Sequence, residues 1–273
     1  MKQHMVNQVW VDEFSSLAET LAYAKANTKR LSSDKRTDNK WSGSESLDAA
    51  VDLGMVGWHE VRPEVDRMVD QMNEHINMAL GDVFQTVMNY EGDSVDMDRY
   101  LMNDPECMMD YEMVPSGRMG RVVRVLVNGS CSWRVDSDTI KARGALACAL
   151  VDTLAKLGVG VEVWLEMATK HRGLHSALIM LHSSEERLDI DNLMFAMAHP
   201  SMLRRISFSL MEQTQWPDAK QIIGHGYGQP HDLLMGDYVR ADVKVDKLEN
   251  ATGDPIQDGV KYILSTVSGL QLV

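Results

Sequence analysis

Val122-Val123-Arg124-Val125-Leu126-Val127, followed at once by Asn128-Gly129-Ser130-Cys131-Ser132, is the stretch on which the fold turns. A run that is β-branched and nearly all apolar suits a strand buried on both faces of a sheet. The small polar residues after it suit a loop, because short oxygen-bearing side chains bond their own backbone. Asp136, Ser137 and Asp138 then offer N-caps, and Leu146, Ala149, Leu150, Thr153, Leu154 and Leu157 recur on one helical face until Gly158. Val159-Gly160-Val161-Glu162-Val163-Trp164-Leu165 reads as a second strand. A strand–helix–strand unit predicts parallel pairing with a right-handed crossover. His171-Arg172-Gly173 is too short for another crossover, so Leu174 to His182 is expected to return antiparallel.

Downstream, Leu188 to Ala198 and the stripe Met202, Leu203, Ile206 and Leu210 behind Pro200 predict two helices. Ile222-Ile223 and Tyr238 to Val245 read as further strands, and Asp254-Pro255 opens a last helix through Val260, Ile263, Leu264 and Val267. Upstream, Pro115-Ser116-Gly117-Arg118-Met119-Gly120 reads as a turn and marks a boundary. The expected domains are thus a helical N-terminal region, 1–115, and an α/β domain, 116–273. In the first, Val11, Phe14, Leu17, Ala18 and Leu21 share a helical face. Lys29 to Lys40 has the composition of a basic loop, and Ser46 caps a short helix. Pro63 opens the cleanest amphipathic helix, with Val65, Met68, Val69, Met72, Ile76 and Ala79 on one side.

The chain has 273 residues, 44% of them hydrophobic, enough to bury a core in one large or two small domains. Its formal charge of −13 excludes a surface that coats duplex DNA or anionic membrane as a whole. Eight of the acids crowd Glu91 to Glu112, which reads as a solvated acidic bridge; it lacks the central Gly and distal Glu of a calcium loop. Cys107, Cys131 and Cys148 match no disulfide framework or zinc spacing and point to a reduced, cytoplasmic protein. No apolar run approaches the ~20 residues that span a bilayer, and no apolar leader follows Met1. The 20 methionines fit core filling.

Chemistry is expected where strands end. Asn128, Ser130 and Ser132 present oxygens at alternating positions, the donor type of a hard cation such as Mg²⁺. Cys131 lies between the two serines, and a base among His171, His175, His182, His199 or His225 would make it a nucleophile. Gly226-x-Gly228 opens no Rossmann helix; His225 and His231 read as loop residues. Two basic groups suggest single-stranded nucleic acid: Lys29, Arg30, Lys35, Arg36 and Lys40 beside Trp41, and Arg204-Arg205 with His199 and Lys220; Trp41 reads equally as a packing anchor for the helix after it, and Arg204-Arg205 as an exposed helix face or a C-terminal turn.

The apolar strand, the Asn128-x-Ser130-x-Ser132 loop, the helix beginning near Arg143-Gly144-Ala145 and the two following strands resemble a von Willebrand factor A-type domain over roughly residues 121 to 245. That family carries D-x-S-x-S here and ligates a divalent metal with it. The resemblance implies a mostly parallel sheet flanked by helices and a degenerate metal site, since Asn128 replaces the acid and removes its charge. A second resemblance, to an uncharacterised family of tailed-bacteriophage proteins, spans most of the chain. It rests on Trp41-x-Gly43 with Ser46, Ala50 and Gly57-Trp58, on Tyr100-Leu101 with Pro105-Glu106-Cys107-Met108, and on Arg143-Gly144-Ala145. It also includes His199-Pro200 with Leu203-Arg204-Arg205, and Gly226-x-Gly228-x-Pro230. The second resemblance implies a phage origin and supplies no activity; the strand-end loop after a fully apolar strand points to a non-enzymatic adaptor in the host cytoplasm that binds a protein partner through that loop. The alternatives are a single-stranded nucleic-acid accessory factor in phage transcription or replication, and a hydrolase that would need the metal.

Overall fold

The computed structural model describes residues 1–270 except 36–38, 80–82, 115–120, 218, 225 and 247–254. Its strands are β1 (Lys2–Val6), β2 (Val9–Phe14), β3 (Val83–Asn89), β4 (Ser94–Val95), β5 (Met108–Val114), β6 (Val122–Asn128), β7 (Gly160–Lys170), β8 (Leu174–His182), β9 (Gln229–Pro230) and β10 (Val243–Val245). Its helices are α1 (Leu17–Lys25), α2 (Ser32–Lys35), α3 (Asn39–Ser42), α4 (Leu47–Val56), α5 (Arg62–Ala79), α6 (Met97–Leu101), α7 (Ser137–Lys156), α8 (Ile190–Ala198), α9 (Ser207–Gln213), α10 (Ala219–Gly224) and α11 (Pro255–Gly269), with a π-helical turn at Met202–Ile206. The main sheet runs β1-β2-β8-β7-β6-β10, with β9 beside β7, while β3, β5 and β4 form a separate sheet.

The apolar stretch does become the heart of an α/β fold with a mostly parallel central sheet flanked by helices. β6 pairs in parallel with β7 on one side and β10 on the other, and β8 returns antiparallel to β7. Alternation along the strands divides the side chains. Val123, Val125, Val127, Val163 and Leu165 join a core with α1, α4, α5, α7, α8 and α11. Leu126, Leu178, Val9 and Val11 face the other way and meet Met235 and Val239. Each fully buried Val or Leu contributes about 1.5–3 kcal/mol, so this two-sided burial selects the register. α7 begins one residue after Asp136, whose side chain accepts from Thr139 N, and the chain leaves it through Gly158 at φ +75°. Within α7, Gly144 lies so close to α8 that a Cβ there would stand 2.2 Å from Ala198 Cα.

Several sequence expectations are corrected. Residues 2–14 are not helical: β1 and β2 form a hairpin across Asn7-Gln8, both at positive φ, and β2 lies parallel to β8. Val11 and Phe14 are three apart and so mimic a helix face, but in β2 they fall on opposite faces of the sheet. The helix proper, α1, starts behind Ser16, whose side chain accepts from Glu19 N. Arg143-Gly144-Ala145 lies inside α7 rather than at its start. Ile222-Ile223 belongs to α10, and only Val243–Val245 of the expected Tyr238 to Val245 strand pairs with the sheet. The residues before it turn back over the sheet face instead, with Arg240 at φ 54°. Among the described residues, no helix is long and apolar enough to cross a membrane.

Candidate functional site

The loop after β6 is held from several sides. Asn128 and Ser130 are buried, at 1% and 2% exposure. Asn128 Oδ1 accepts from Ser130 N at 2.9 Å, and its Nδ2 donates to His231 O at 3.1 Å. Ser130 Oγ donates to Ala168 O at 2.9 Å, and Ser132 Oγ accepts from Arg134 N at 3.4 Å. Two guanidinium groups complete the frame. Arg143 donates to Asn128 O and, at 3.4 Å, to Ser130 O. Arg204 donates to Val135 O and Trp41 O, and stands 4.4 Å from the centre of the Trp41 ring. Trp41 Nε1 in turn donates to Trp133 O at 3.0 Å. A loop has no ladder to satisfy its carbonyls, and the planar, multi-donor guanidinium does that here. What the frame leaves in solvent is Trp133, 69% exposed, with the Arg134 guanidinium 5.4 Å from its ring centre.

This arrangement does not suit a resident divalent cation. Asn128 Oδ1 and Ser130 Oγ are turned to backbone partners, the acidic ligand is absent, and no group of three or more His, Cys, Asp or Glu gathers among the described residues. Nor does it suit a thiolate nucleophile. Burial pushes the Cys131 thiol above its ordinary range, and the Arg204 and Arg143 charges only partly oppose that. Two of the candidate bases are engaged elsewhere: His175 Nε2 lies 2.9 Å from Asp12 Oδ2, and His199 packs between Phe195 and Trp58. His225 lies outside the described residues.

Of the basic groups, Lys29, Arg30, Arg204 and Arg205 are bonded within the fold. Lys29 Nζ donates to Glu212 O at 2.7 Å, and Arg30 grips Asp48 with both terminal nitrogens at 2.6 and 2.8 Å. Arg36 and the side chain of Lys35 lie outside the described residues, while Lys40 is exposed and Trp41 half-buried. Arg204 and Arg205, expected on an exposed helix face, are 1% and 0% exposed. Arg205 donates to Ser33 O, Ser42 Oγ, Ser44 O and Glu45 O at 2.8 to 3.2 Å. The segment wrapped around these helices presents free carbonyls inward, and the paired arginines satisfy them.

Sequence reasoning passed over Glu166 and Glu212, and it read Arg143 as part of a motif without a role in this framework. Glu166 accepts from Ser176 Oγ, Leu234 N and Met235 N, and so ties the segment crossing the strand ends to β7. Burial raises its pKa, with those hydrogen bonds opposing. Glu212 accepts from Asn27 Nδ2, Ser33 Oγ and Tyr227 OH. There burial raises the pKa but the donors outweigh it, so the carboxyl is held below its ordinary value. The legible signal for Glu166 is a lone acid inside the apolar run Val163 to Met167. A concavity of about 770 Å³ between α5, α7 and the start of α8 holds cations paired with its own acids, Lys156 with Asp152 and Arg62 with Asp191.

One family model matches residues 2–266, nearly the whole chain: Domain of unknown function (DUF7192). No curated protein and no solved structure matches.

Proposed function

The chain belongs to the DUF7192 family, and we propose that it is a non-enzymatic adaptor that binds a protein partner through the strand-end loop of a degenerate von Willebrand A-like sheet. The parallel β6–β7 pair and the antiparallel β8 support that kinship. The observation that carries the reading is Trp133: a tryptophan left in water on a loop whose backbone is already immobilised. Tryptophan and arginine are the side chains that dominate binding at interfaces, and a pre-ordered loop loses little entropy on docking. The committed oxygens of Asn128 and Ser130 make the contact independent of metal. The resemblance to tailed-phage proteins supports a phage adaptor in the host cytoplasm. No observation favours the single-stranded nucleic-acid alternative, whose Arg30, Arg204 and Arg205 serve the fold.

Trp133→Ala tests the reading. Affinity purification of the tagged chain from its native cells should lose its specific partner while the unfolding free energy moves by less than about 0.5 kcal/mol, as for an exposed side chain. Capture unchanged by the substitution would sink the assignment. Alanines at Asn128 and Ser130 are unsuitable for this purpose, because both side chains are buried and bonded.

A further inference from the structure

The small sheet carries a surface unlike the rest of the molecule. β5 is its centre: Asn89 of β3 pairs with Met108 on one side and Val95 of β4 pairs with it on the other. Tyr90 and Val95 therefore flank one end of this sheet, and α6 leaves from that end. Met97, Tyr100 and Leu101 stand at i, i+3 and i+4 on α6 and share a face. These side chains lie in water: Tyr90 is 66% exposed, Leu101 73% and Met102 78%. No residue from 86 to 110 is buried. A contiguous apolar patch of this kind marks a docking site.

Charge identifies the occupant. Residues 83–114 hold eight acids against one arginine, more than half of the chain's net −13. Arg99 is paired with Asp104 at 3.4 Å, while Glu91, Asp93, Asp98 and Glu106 make no ion pair among the described residues. Exposed methionines adapt to irregular partner side chains, and tyrosine faces attract cations. We propose that this lobe docks a cationic, amphipathic polypeptide segment, its apolar side chains on Tyr90, Met97, Tyr100, Leu101 and Met102 and its Lys or Arg on the acidic rim. Nucleic acid and anionic membrane are repelled by the same charge. A second copy of this chain is a poor occupant, because it carries the same net charge of −13.

Fluorescence anisotropy on the full chain tests this with a labelled Lys–Leu peptide whose leucines repeat at helical spacing. Saturable binding is expected, weakened roughly tenfold in the Leu101→Ser/Met102→Ser variant, which corresponds to about 1.4 kcal/mol. A Glu–Leu peptide of the same spacing should not bind, and Trp133→Ala should leave binding unchanged, which separates this surface from the strand-end loop. Equal affinity of variant and parent overturns the proposal. So does a Lys–Gly peptide of equal charge binding as tightly, which would reduce the effect to net charge. A dimer of the parent in sedimentation velocity that the variant lacks overturns it in favour of a second copy.

Discussion

The strand-end region and the small acidic lobe dispose of their charged and apolar groups in opposite ways. In the first, Arg204 and Arg205 are buried and bonded to carbonyls, and the apolar side chains of the sheet are covered on both faces. In the lobe, Glu91, Asp93, Asp98 and Glu106 and the large side chains of Tyr90, Tyr100, Leu101 and Met102 alike face water, and α6 buries nothing. A buried cation with several acceptors makes its neighbourhood dependent on one side chain, since each acceptor left without a donor costs about 1–3 kcal/mol. An exposed patch has no such dependence, and its side chains are available for a partner. The first region therefore reads as framework with one projecting tryptophan, and the second as a surface awaiting a ligand.

The largest effect that would break this contrast is at Arg205. Arg205→Ala strips the donor from Ser33 O, Ser44 O and Glu45 O and is expected to lower the unfolding free energy by about 3–5 kcal/mol in urea titration. A loss below about 0.5 kcal/mol, the surface range, would show that the wrapped segment does not rely on it.

A smaller effect is set by pH. Burial pushes the pKa of His199 down to about 4, the Lys141 charge adding to it, and its Nδ1 accepts from Ser201 N at 3.2 Å. The unfolded chain takes up that proton near the ordinary value of 6.5. Stability present above 6.5 is then lost as the pH falls toward 4, on the order of 2 kcal/mol by pH 5. Asp12 and Glu212, held below their ordinary values, give way only further into acid. Denaturation of the parent and His199→Gln at pH 7 and 5 checks this. The variant should lose most of the difference, and a parent equally stable at both values would contradict it.

The smallest effect belongs to the lobe. Leu101→Ser/Met102→Ser should change the unfolding free energy by less than about 0.5 kcal/mol, because neither side chain is buried. A loss of several kcal/mol would mean that the patch packs against the body and would erase the contrast.

How much of this was legible follows from the range of each signal. Strands β6, β7 and β8 and helix α7 announce themselves because alternation, caps and Gly158 act within a few residues. The hairpin of β1 and β2 was hidden because Val11, Phe14 and Leu17 carry a helical spacing that only pairing with β8 overrules. Trp41-x-Gly43, Gly57-Trp58 and His199-Pro200 look unrelated along the chain. In space, a Cβ on Gly43 would stand 3.0 Å from His199 Cε1, and the Trp58 ring meets His199 edge-on at 4.7 Å. At the candidate site, the loop after β6 was legible as a strand end, but its oxygens read both as turn residues bonding nearby backbone and as ligands of a degenerate metal site. Their partners, His231 O and Ala168 O, come from positions distant in sequence.

By itself, then, the amino-acid sequence determined the central strand, its loop, the helix that follows, the uneven charge and the absence of a metal-binding acid at position 128. These are properties of local composition and period, which need no partner to be read. Tertiary structure alone decided that Arg204 and Arg205 are framework, that Trp133 projects, and that the acidic segment folds as a small sheet with a helix, α6, whose Met97, Tyr100 and Leu101 stay in water. Burial is a property of what arrives from elsewhere in the chain. The same arginine is a surface cation or an internal donor according to whether unpaired carbonyls are folded over it.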